Sequence, residues 1–511
     1  MNRRAVCRSA LAGLALLAGA GVAQAEPPAW LLDVAKASTP AFEPEVPAAV
    51  VLLDETVVTV QPNGWESTRH RVALRILNRS GREKAAGSVS YLDKEDRVET
   101  AAAWLIRAGK EIRPKEKHEW VDLSAADGGE VFSEHRKRAI AFGDLALEGD
   151  VFGYETSVAS RMLFAQEQAI WDGALPVVKD VFSLRLPPSW TLQAVVDGPM
   201  AASLRTTSGP ETWTWELIDY PYRPDEPSMT DMAQVGARLM ITFGPSSGIK
   251  GDAPPQFHSW TEVAHWKSQF YDGQCDTNPA LLASVRQLTA GCPDALGRMR
   301  ALSQYVQRLR YVSADKGLKK GFGYRPRKAT EVHAKGWGDC KDKANLLRAM
   351  LKEVGIDSFM VSAQTEGGRA LNEDWPSPAQ FNHAILAIRV DESVAFPTVV
   401  NTPKFGRLLF FDPTDDDVCL GDLPWHLQGA KCFIVGPGSD ALTTLPVLPT
   451  ETRHVVDRRV QLQLDASGAV AGECSYGGPG RVGSIYRARI RTMWAKDRRT
   501  DITERINTTI R

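Results

Sequence analysis

Hydrophobic and polar positions alternate through much of the first half of the chain. From about Ala48 to Ile218, short segments such as "AVVLLDETVVTV" and "STRHRVALRILN" are separated by turn-rich pieces such as "QPNGW". Period-two alternation with β-branched and aromatic side chains predicts half-buried strands. Several such strands at close spacing predict a sandwich-like β domain. Because no cluster of His, Cys or paired carboxylates stands out there, we expect this domain to bind or to scaffold.

The spacing of apolar positions changes after a proline- and glycine-rich passage, "FGPSSGIKGDAPPQ". In "PDALGRMRALSQYVQRLRYVS" the apolar residues recur at intervals of three and four, which predicts a helix with one buried face. Three strand-like segments, "SFMVSAQT", "FNHAILAIRV" and "RLLFFDPT", follow. Helices first and strands afterwards predict an α+β domain.

These patterns predict a multidomain protein with an all-β sandwich-like region, an α+β core and a closing β segment around "RRVQLQLDASGAVAGECSYGG". The closing segment is too short for a complete sandwich, so we expect either an accessory hairpin or the start of a domain that continues in a longer sequence. The predicted boundaries are a signal peptide at 1–25, the β domain at 26–242, a linker at 243–258, the α+β domain at 259–445 and the β segment at 446–511.

The first 25 residues carry three arginines, then an apolar run, then Ala-Gln-Ala. This is the layout of a secretory signal peptide, and we expect cleavage after Ala25 and a periplasmic or secreted bacterial protein. Cys7 precedes the apolar run, whereas the acylated cysteine of a lipoprotein would follow it. No later stretch approaches the length of a transmembrane helix, so we expect none in the mature chain.

The net charge of the chain limits the classes of partner that we expect, and its length limits the number of domains. The formal charge of the chain is −1, and loss of the three leader arginines makes it −4, which argues against nucleic acid as a partner. At 511 residues and 43% hydrophobic residues the chain can form roughly three packed domains.

Six cysteines remain after the leader: Cys275, Cys292, Cys340, Cys419, Cys432 and Cys474. Exported cysteines tend to pair, so Cys275 with Cys292 and Cys419 with Cys432 are expected local bridges. If Cys340 is a free thiol, Cys474 is the one left over. No C-x-x-C occurs, which argues against zinc-ribbon, thioredoxin-like and haem-attachment sites.

Cys340 stands in "KGWGDCKDKANLLRAMLKEVG", residues 335–355, at the predicted start of a helix. Asp339 is a good N-cap, Gly338 allows a sharp turn and Gly355 is a good C-terminal stop. The positive end of the helix dipole favours thiolate over thiol. The free N–H groups there can also hold an oxyanion that forms when the sulfur attacks a carbonyl.

A thiolate nucleophile needs a histidine partner, and that histidine needs a third group to fix its tautomer. Among nine histidines, His383 lies in an apolar strand segment, where burial without a partner would be costly. Asp412 ends the next apolar strand, just before a proline. A carboxylate at that strand end can accept the ring N–H of a histidine on the neighbouring strand.

The blocks "GDCKDKANLL", "FNHAI" and "FFDPTDD", in this order, resemble the transglutaminase-like core of many exported bacterial proteins, a circularly rearranged relative of papain-type folds. The resemblance covers about residues 260–440. It implies a papain-like catalytic domain in which Cys340 is the nucleophile, His383 its histidine and Asp412 the orienting aspartate, with no cofactor and no metal. The preceding β region resembles the uncharacterised β domain that often stands ahead of such cores.

Other features are left open by the sequence. The family's oxyanion-holding aromatic could be Tyr311, Tyr324 or Trp337. We expect the acidic run Asp415 to Asp417 to be a solvated turn rather than a metal site, and His333 and His426 to be surface or loop residues. The loop 366–380 is expected to border the cleft, with Trp375 as a substrate contact.

The sequence therefore predicts an exported cysteine-nucleophile acyl-transfer enzyme acting on amide bonds, in a peptide, an isopeptide or a glutamine side chain, through a thioester. Hydrolysis is favoured over crosslinking, because water attacks an unshielded thioester. The expected partner is a protein or peptide of the cell envelope, and the oligomeric state stays open. The alternatives are a catalytically silent periplasmic binding module and an envelope-assembly scaffold, both of which would tolerate Cys340→Ala.

Overall fold

The structure is a computed structural model. It describes residues 26–42, 46–112, 119–124, 130–172, 175–220, 235–246, 254–271, 273–315, 323–365, 371–449 and 455–510. The predicted signal peptide and part of the predicted linker lie outside the described residues.

The N-terminal region is built almost entirely from strands. After a short helix α1 (Ala29–Val34) come β1 (Ala49–Val60), β2 (Trp65–Ile76), β3 (Ala86–Leu92), β4 (Arg97–Arg107), β5 (Lys110–Glu111), β6 (Val121–Ser124), β7 (Glu130–Ser133), β8 (His135–Ala141), β9 (Val151–Arg161), β10 (Gln166–Asp172), β11 (Val177–Arg185), β12 (Trp190–Asp197), β13 (Arg205–Ser208), β14 (Thr212–Tyr220) and β15 (Val235–Pro245). Short 3-10 helices lie at Arg79–Lys84 and Ala201–Ser203. The alternating segments predicted as half-buried strands do form strands, but some are covered on both faces: β1 has no exposed residue, and β11 buries four consecutive residues, 181–184.

The strands form one large sheet and several smaller ones. The eight-stranded sheet has the order β13-β14-β11-β1-β2-β9-β4-β5, and smaller sheets have the orders β10-β15-β12 and β3-β8-β6. β1 pairs in parallel with β11 and antiparallel with β2. Apolar side chains of β11, β14 and β15 pack together between the large sheet and the β10-β15-β12 sheet.

The second region begins with helices and ends with a sheet. Its elements are α2 (Trp260–Tyr271), α3 (Pro279–Thr289), α4 (Ala295–Gln307), β16 (Arg310–Tyr311), β17 (Ser313–Asp315), α5 (Ala329–Lys335), β18 (Trp337–Gly338), α6 (Cys340–Glu353), β19 (Ser358–Ala363), β20 (His383–Arg389), β21 (Val399–Thr402), β22 (Gly406–Phe411), β23 (Lys431–Val435) and β24 (Thr443–Thr444). Short 3-10 helices lie at Pro378–Gln380 and Trp425–Leu427. The last six strands make one sheet of order β21-β22-β20-β19-β23-β24.

Helix α6 is the centre of this second region. Leu346, Leu347 and Met350 are fully buried, and they join one apolar cluster with side chains of α2, α3, α4, α5 and the sheet. The predicted fold class, an all-β region followed by an α+β core and further strands, is confirmed. A helix start buried in this way has a fixed position relative to the strands beside it.

The C-terminal segment differs in part from the prediction. The expected hairpin is present as β25 (Asp457–Leu464) and β26 (Val470–Gly477), but two helices follow it, α7 (Gly480–Thr492) and α8 (Ala495–Ile510). These helices do not bury a strong apolar stripe as a core helix does. Ile485 and Ile490 of α7 are exposed, and so is Trp494 between the two helices. The pattern of buried positions on which the prediction relied is therefore weak here.

The two regions touch through the loop that was expected to border the cleft. Trp375 is 3% exposed, and its Nε1 donates to Thr242 Oγ1 at 3.2 Å. Gln166 Nε2 donates to the Pro376 carbonyl at 2.9 Å. The expectation that Trp375 contacts substrate is wrong in this structure, because its ring packs into the β domain. In addition, β17 pairs in parallel with β7.

All six described cysteines are free, so neither expected local bridge is present. Cys432 is fully buried on β23 whereas Cys419 is exposed, so their sulfurs lie in different environments. Among the described residues, no helix combines the length and the apolar character needed to cross a membrane.

Candidate active site

Cys340 is the first residue of α6. Asp339 caps the helix, because its carboxylate accepts from the Asp342 N–H at 3.2 Å and the Asp342 carboxylate accepts from the Asp339 N–H at 3.3 Å. This reciprocal capping fixes the first turn. A Cβ on Gly338 would lie 2.6 Å from the Asp342 Cβ, so close packing, rather than a sharp turn alone, requires glycine there. The thiol is thus held at the positive end of a buried helix.

His383 and Asp412 lie together beside that helix end. His383 begins β20, Asp412 directly follows β22, and these strands are neighbours in the sheet. His383 Nε2 is 2.9 Å from Asp412 Oδ2. Thr414 donates its N–H and its hydroxyl to the other oxygen, Asp412 Oδ1, at 2.8 and 2.7 Å. The carboxylate is therefore oriented on both sides, and Nδ1 is the ring nitrogen that remains for the thiol.

The charges of this pair reinforce each other. Burial by itself disfavours the charged form of His383, but the Asp412 carboxylate and hydrogen bonds with Asp412 and Cys340 outweigh it and raise the pKa of His383 well above its usual value. Burial would likewise raise the pKa of Asp412, yet the charge and hydrogen bonds of His383 and Thr414 hold it below its usual value. The pair is an imidazolium and a carboxylate at neutral pH.

Tyr311 is the aromatic residue that reaches the thiol. The parallel pairing of β16 with β18 places Tyr311 opposite Gly338, two residues before Cys340. Its hydroxyl hydrogen-bonds with the side chain of Cys340 and with the Cys340 backbone N–H, and burial raises the pKa of Tyr311. The hydroxyl thus stays protonated and can donate. Of the three aromatics left open by the sequence, Trp337 instead stacks on the Arg327 guanidinium at 4.5 Å.

The first turn of α6 carries further ion pairs. Lys341 pairs with Asp339, and the fully buried Asp342 pairs with Arg327, whose backbone N–H also donates to Asp342 Oδ1 at 2.7 Å. A cavity of about 240 Å³ lies beside this turn and is lined in part by Arg325, Lys341 and Asp342. Each carboxylate of this turn therefore has a cationic partner, Lys341 from the turn itself and Arg327 from the segment before α5.

A lysine on α2 was missed by the sequence analysis. Lys267 is 3% exposed, and its ammonium lies 5.1 Å from the Tyr324 ring centroid and 5.4 Å from that of Phe381. Burial lowers the pKa of Lys267 to about 7, and the charge of Cys340 opposes this in part. A signal was available, because Lys267 follows Val263 and Ala264 at helical spacing on the buried face of α2.

Two other expectations concern residues that neighbour the site. His426, expected to be a surface or loop residue, lies close enough to Asp412 and His383 for their charges to act on it, while burial lowers its pKa. The acidic run lies in a turn with Asp416 exposed, as expected, and Arg491 of α7 pairs there with Asp416 and Asp417, each at 2.9 Å. Sequence alone could not indicate these pairs, since their partner lies some 75 positions away.

His333 lies away from these residues. Its Nε2 is 2.9 Å from Ser284 Oγ, and burial lowers its pKa. In the part of the chain that the structure describes, no group of three or more His, Cys, Asp or Glu side chains is arranged to hold a metal ion.

Comparisons with known families cover two separate stretches of the chain. Residues 62–224 match a domain of unknown function, DUF3857. Residues 283–393 match the transglutaminase-like superfamily. The second match contains Cys340 and His383, whereas Asp412 lies beyond its end. A search of curated proteins finds no match to the chain.

A solved structure shares the fold at low sequence identity. A candidate protease from Parabacteroides distasonis superimposes with a TM-score of 0.57 at 12% identity, over 83% of this chain and 78% of that one. A candidate cysteine protease from Cytophaga hutchinsonii matches with a TM-score of 0.21 at 10% identity, over 81% and 87% of the two chains, a score too low to support an argument. The two family matches, together with the capped cysteine helix and the strand-borne His–Asp pair, identify residues 283–393 as a transglutaminase-like domain, preceded by a DUF3857 domain at residues 62–224.

Proposed function

We propose that the protein is an exported cysteine-nucleophile enzyme that cleaves amide bonds through a thioester. The observation that carries the proposal is the arrangement of Cys340 at a capped helix start with the His383–Asp412 pair hydrogen-bonded beside it. Nucleophile, histidine and orienting carboxylate are the three roles that covalent acyl transfer requires. The proposed substrate is a peptide, an isopeptide or a glutamine side chain of a cell-envelope protein.

In the first step Cys340 Sγ attacks the carbonyl carbon of the amide. The C–N bond then breaks, and the His383 imidazolium gives its proton to the leaving amine nitrogen. The raised pKa of His383 supports this role, because a histidine that is protonated before the attack can act as the acid. Asp412 stays ionised throughout and keeps the ring oriented through Nε2.

The negative charge on the carbonyl oxygen needs donors during this attack. The Cys340 backbone N–H and the Tyr311 hydroxyl converge at the sulfur, and both can donate to that oxygen. In the free protein the two groups hydrogen-bond with each other. Substrate binding would replace that bond with two bonds to the oxyanion, which strengthen as its charge develops.

In the second step neutral His383 takes a proton from a water molecule, and the hydroxide attacks the thioester carbonyl. The C–S bond breaks, the carboxylic acid leaves, and the sulfur is again paired with the imidazolium. An amine in place of water would give transfer instead of hydrolysis. We favour hydrolysis, because water is the more abundant nucleophile at a half-buried thiol.

The proposal is tested by incubating the mature protein with a mixed peptide digest in water enriched in ¹⁸O. Each hydrolysed amide then gains one ¹⁸O in its new carboxyl group, whether it was a backbone, isopeptide or side-chain amide. Added methylamine detects transfer in the same sample. We expect labelled carboxyl groups with the wild type, and a loss of at least about 10³-fold with Cys340→Ala.

Cys419→Ala is the matched control, since Cys419 is an exposed free cysteine outside the site. It should label peptides at the wild-type rate. Equal labelling by the wild type and Cys340→Ala would contradict the proposal. So would the absence of labelling and methylamine incorporation across digests of envelope proteins, which would leave the binding module as the better account.

A further inference from the structure

Lys267 places a buried positive charge on the Cys340 side of the core. In the described part of the chain its ammonium has no hydrogen-bond acceptor and no carboxylate partner. It contacts two aromatic faces, Tyr324 and Phe381, and the one ionisable side chain whose charge acts on it is Cys340. Aromatic faces compensate only part of the lost hydration of an ammonium.

The aromatic surroundings come from both domains. Tyr324 packs edge-on against Trp266 of α2 at 5.1 Å and lies 6.5 Å from Phe164, which directly precedes the β10 region of the DUF3857 domain. Phe381 stands two residues before His383. The ammonium of Lys267 thus lies between the rings of Tyr324 and Phe381, and Phe164 supports the first of these rings from the other domain.

Lys341 offers a direct comparison beside the same thiol. Its ammonium is paired with the Asp339 carboxylate. Lys267 lacks such a partner, although it is at least as deeply buried. A buried, unpaired ammonium destabilises the folded protein, so its place next to a nucleophile points to a partner that arrives with the substrate.

We propose that Lys267 is the subsite for a carboxylate on the acyl part of the substrate, held within reach of Cys340 Sγ. The geometric link is Phe381, whose ring faces the ammonium at 5.4 Å and which stands two residues before His383, the histidine that pairs with Cys340. The enzyme would therefore prefer amides whose acyl component carries a carboxylate close to the scissile carbonyl over their uncharged counterparts. This inference rests on the proposed function, because it assumes that Cys340 becomes acylated.

The test uses two alkylating probes that differ in charge. Iodoacetate leaves a carboxylate one carbon from Sγ, whereas iodoacetamide leaves a neutral amide of nearly the same size. The ratio of their rate constants at Cys340 cancels the reactivity of the thiol itself. It is measured at pH 6 by peptide mass spectrometry, in a background with the exposed Cys419 and Cys474 replaced by Ser.

We expect Lys267→Met to lower the iodoacetate-to-iodoacetamide ratio at least about fivefold, as the loss of one partly screened ion pair requires. Lys267→Arg should retain part of the preference. Lys341→Met removes the same formal charge near the thiol and should change the ratio much less. If the iodoacetate-to-iodoacetamide ratio fell equally in Lys267→Met and Lys341→Met, the preference would come from the general electrostatic field near the thiol. That result would overturn the inference of a subsite.

A second measurement needs no variant of Lys267. The wild type carboxymethylated at Cys340 should melt at a higher temperature than the carbamidomethylated protein, because only the first adduct pairs with the ammonium. Equal melting temperatures would overturn the subsite. If Cys340 reacts with neither probe, the proposed function fails together with the subsite, whereas ready reaction without a preference that depends on Lys267 contradicts the subsite alone.

Discussion

Two groups of ionisable side chains, one in each domain, differ in the sign of the charges that they bring together. Beside Cys340, a carboxylate and an imidazole face each other, and each favours the charged form of the other. In the DUF3857 domain, Glu66 of β2 and Glu167 of β10 face each other. Burial, followed by the charge of its partner, raises the pKa of Glu167 well above its usual value.

The difference decides where a proton resides. Two carboxyl groups in poor contact with water favour a shared proton, so the pair carries one negative charge instead of two. The His383–Asp412 pair is ionic and stands next to a nucleophile. Buried charge alone therefore does not indicate chemistry, whereas opposite charges arranged around a thiol do.

The largest expected effect comes from breaking the opposite-charge pair with Asp412→Asn. Since Asp412 is the group that overcomes burial at His383, the pKa of His383, measured by NMR, should fall below its usual value of about 6.5. Amide hydrolysis should fall by up to about 10⁴-fold, as when an orienting aspartate is lost from a triad.

Asp416→Asn is the matched control for that change. Asp416 lies in the same turn and pairs with Arg491, but it does not touch His383. It should leave both the pKa of His383 and the hydrolysis rate close to the wild type. A pKa of His383 that is unchanged in Asp412→Asn would show that the pair does not set the charge of the histidine.

The next largest effect is on stability, and it concerns Lys267. Its pKa is about 7 in the folded protein and about 10.5 in the unfolded chain. The cost of burying the charge is complete below pH 7, decreases as the folded protein loses the proton, and vanishes above pH 10.5. Lys267→Met should thus raise the free energy of unfolding by a few kcal/mol at pH 6, and by clearly less at pH 9.

Lys341→Met should instead lower the free energy of unfolding, because it leaves the buried Asp339 carboxylate without its cation. Denaturant unfolding at the two pH values measures both variants. A Lys267→Met protein that is less stable than the wild type at pH 6 would mean that the ammonium has a partner in the fold, and would contradict its assignment as an unsatisfied charge.

The smallest expected effect concerns the like-charge pair. The raised pKa of Glu167 means that the folded state holds a proton that the unfolded state releases, so its contribution is most favourable below about pH 4.5 and declines as pH rises. Glu167→Gln supplies a permanent donor to Glu66. It should stabilise the protein by roughly 1–2 kcal/mol at pH 7.5 and by almost nothing at pH 4.5. Equal stabilisation by Glu167→Gln at pH 7.5 and at pH 4.5 would argue that Glu66 and Glu167 share no proton.

The fold and the arrangement of the three site residues followed from local patterns. Alternation predicted the β domain, a capping aspartate predicted the start of α6, and apolar strands indicated His383 and Asp412 as neighbours. The predictions that were wrong or missing concern residues whose contacts come from positions distant in sequence. Trp375 packs into the other domain. The helical spacing placed Lys267 on a buried face, but the aromatic rings around its ammonium lie far away in sequence and could not be inferred. Helix α7 was missed because its apolar residues are largely exposed.

The most direct test of the central claim compares cysteines within one sample. The wild type and His383→Ala are treated with limiting iodoacetamide at pH 6, and the alkylation rate of Cys340 is measured against the exposed Cys419 by mass spectrometry. A thiol without a cationic partner is mostly protonated at this pH. The account predicts that Cys340 reacts at least about tenfold faster than Cys419 in the wild type, and that His383→Ala removes the advantage. A Cys340 that reacts no faster than Cys419, or one that is indifferent to His383, would contradict the catalytic assignment.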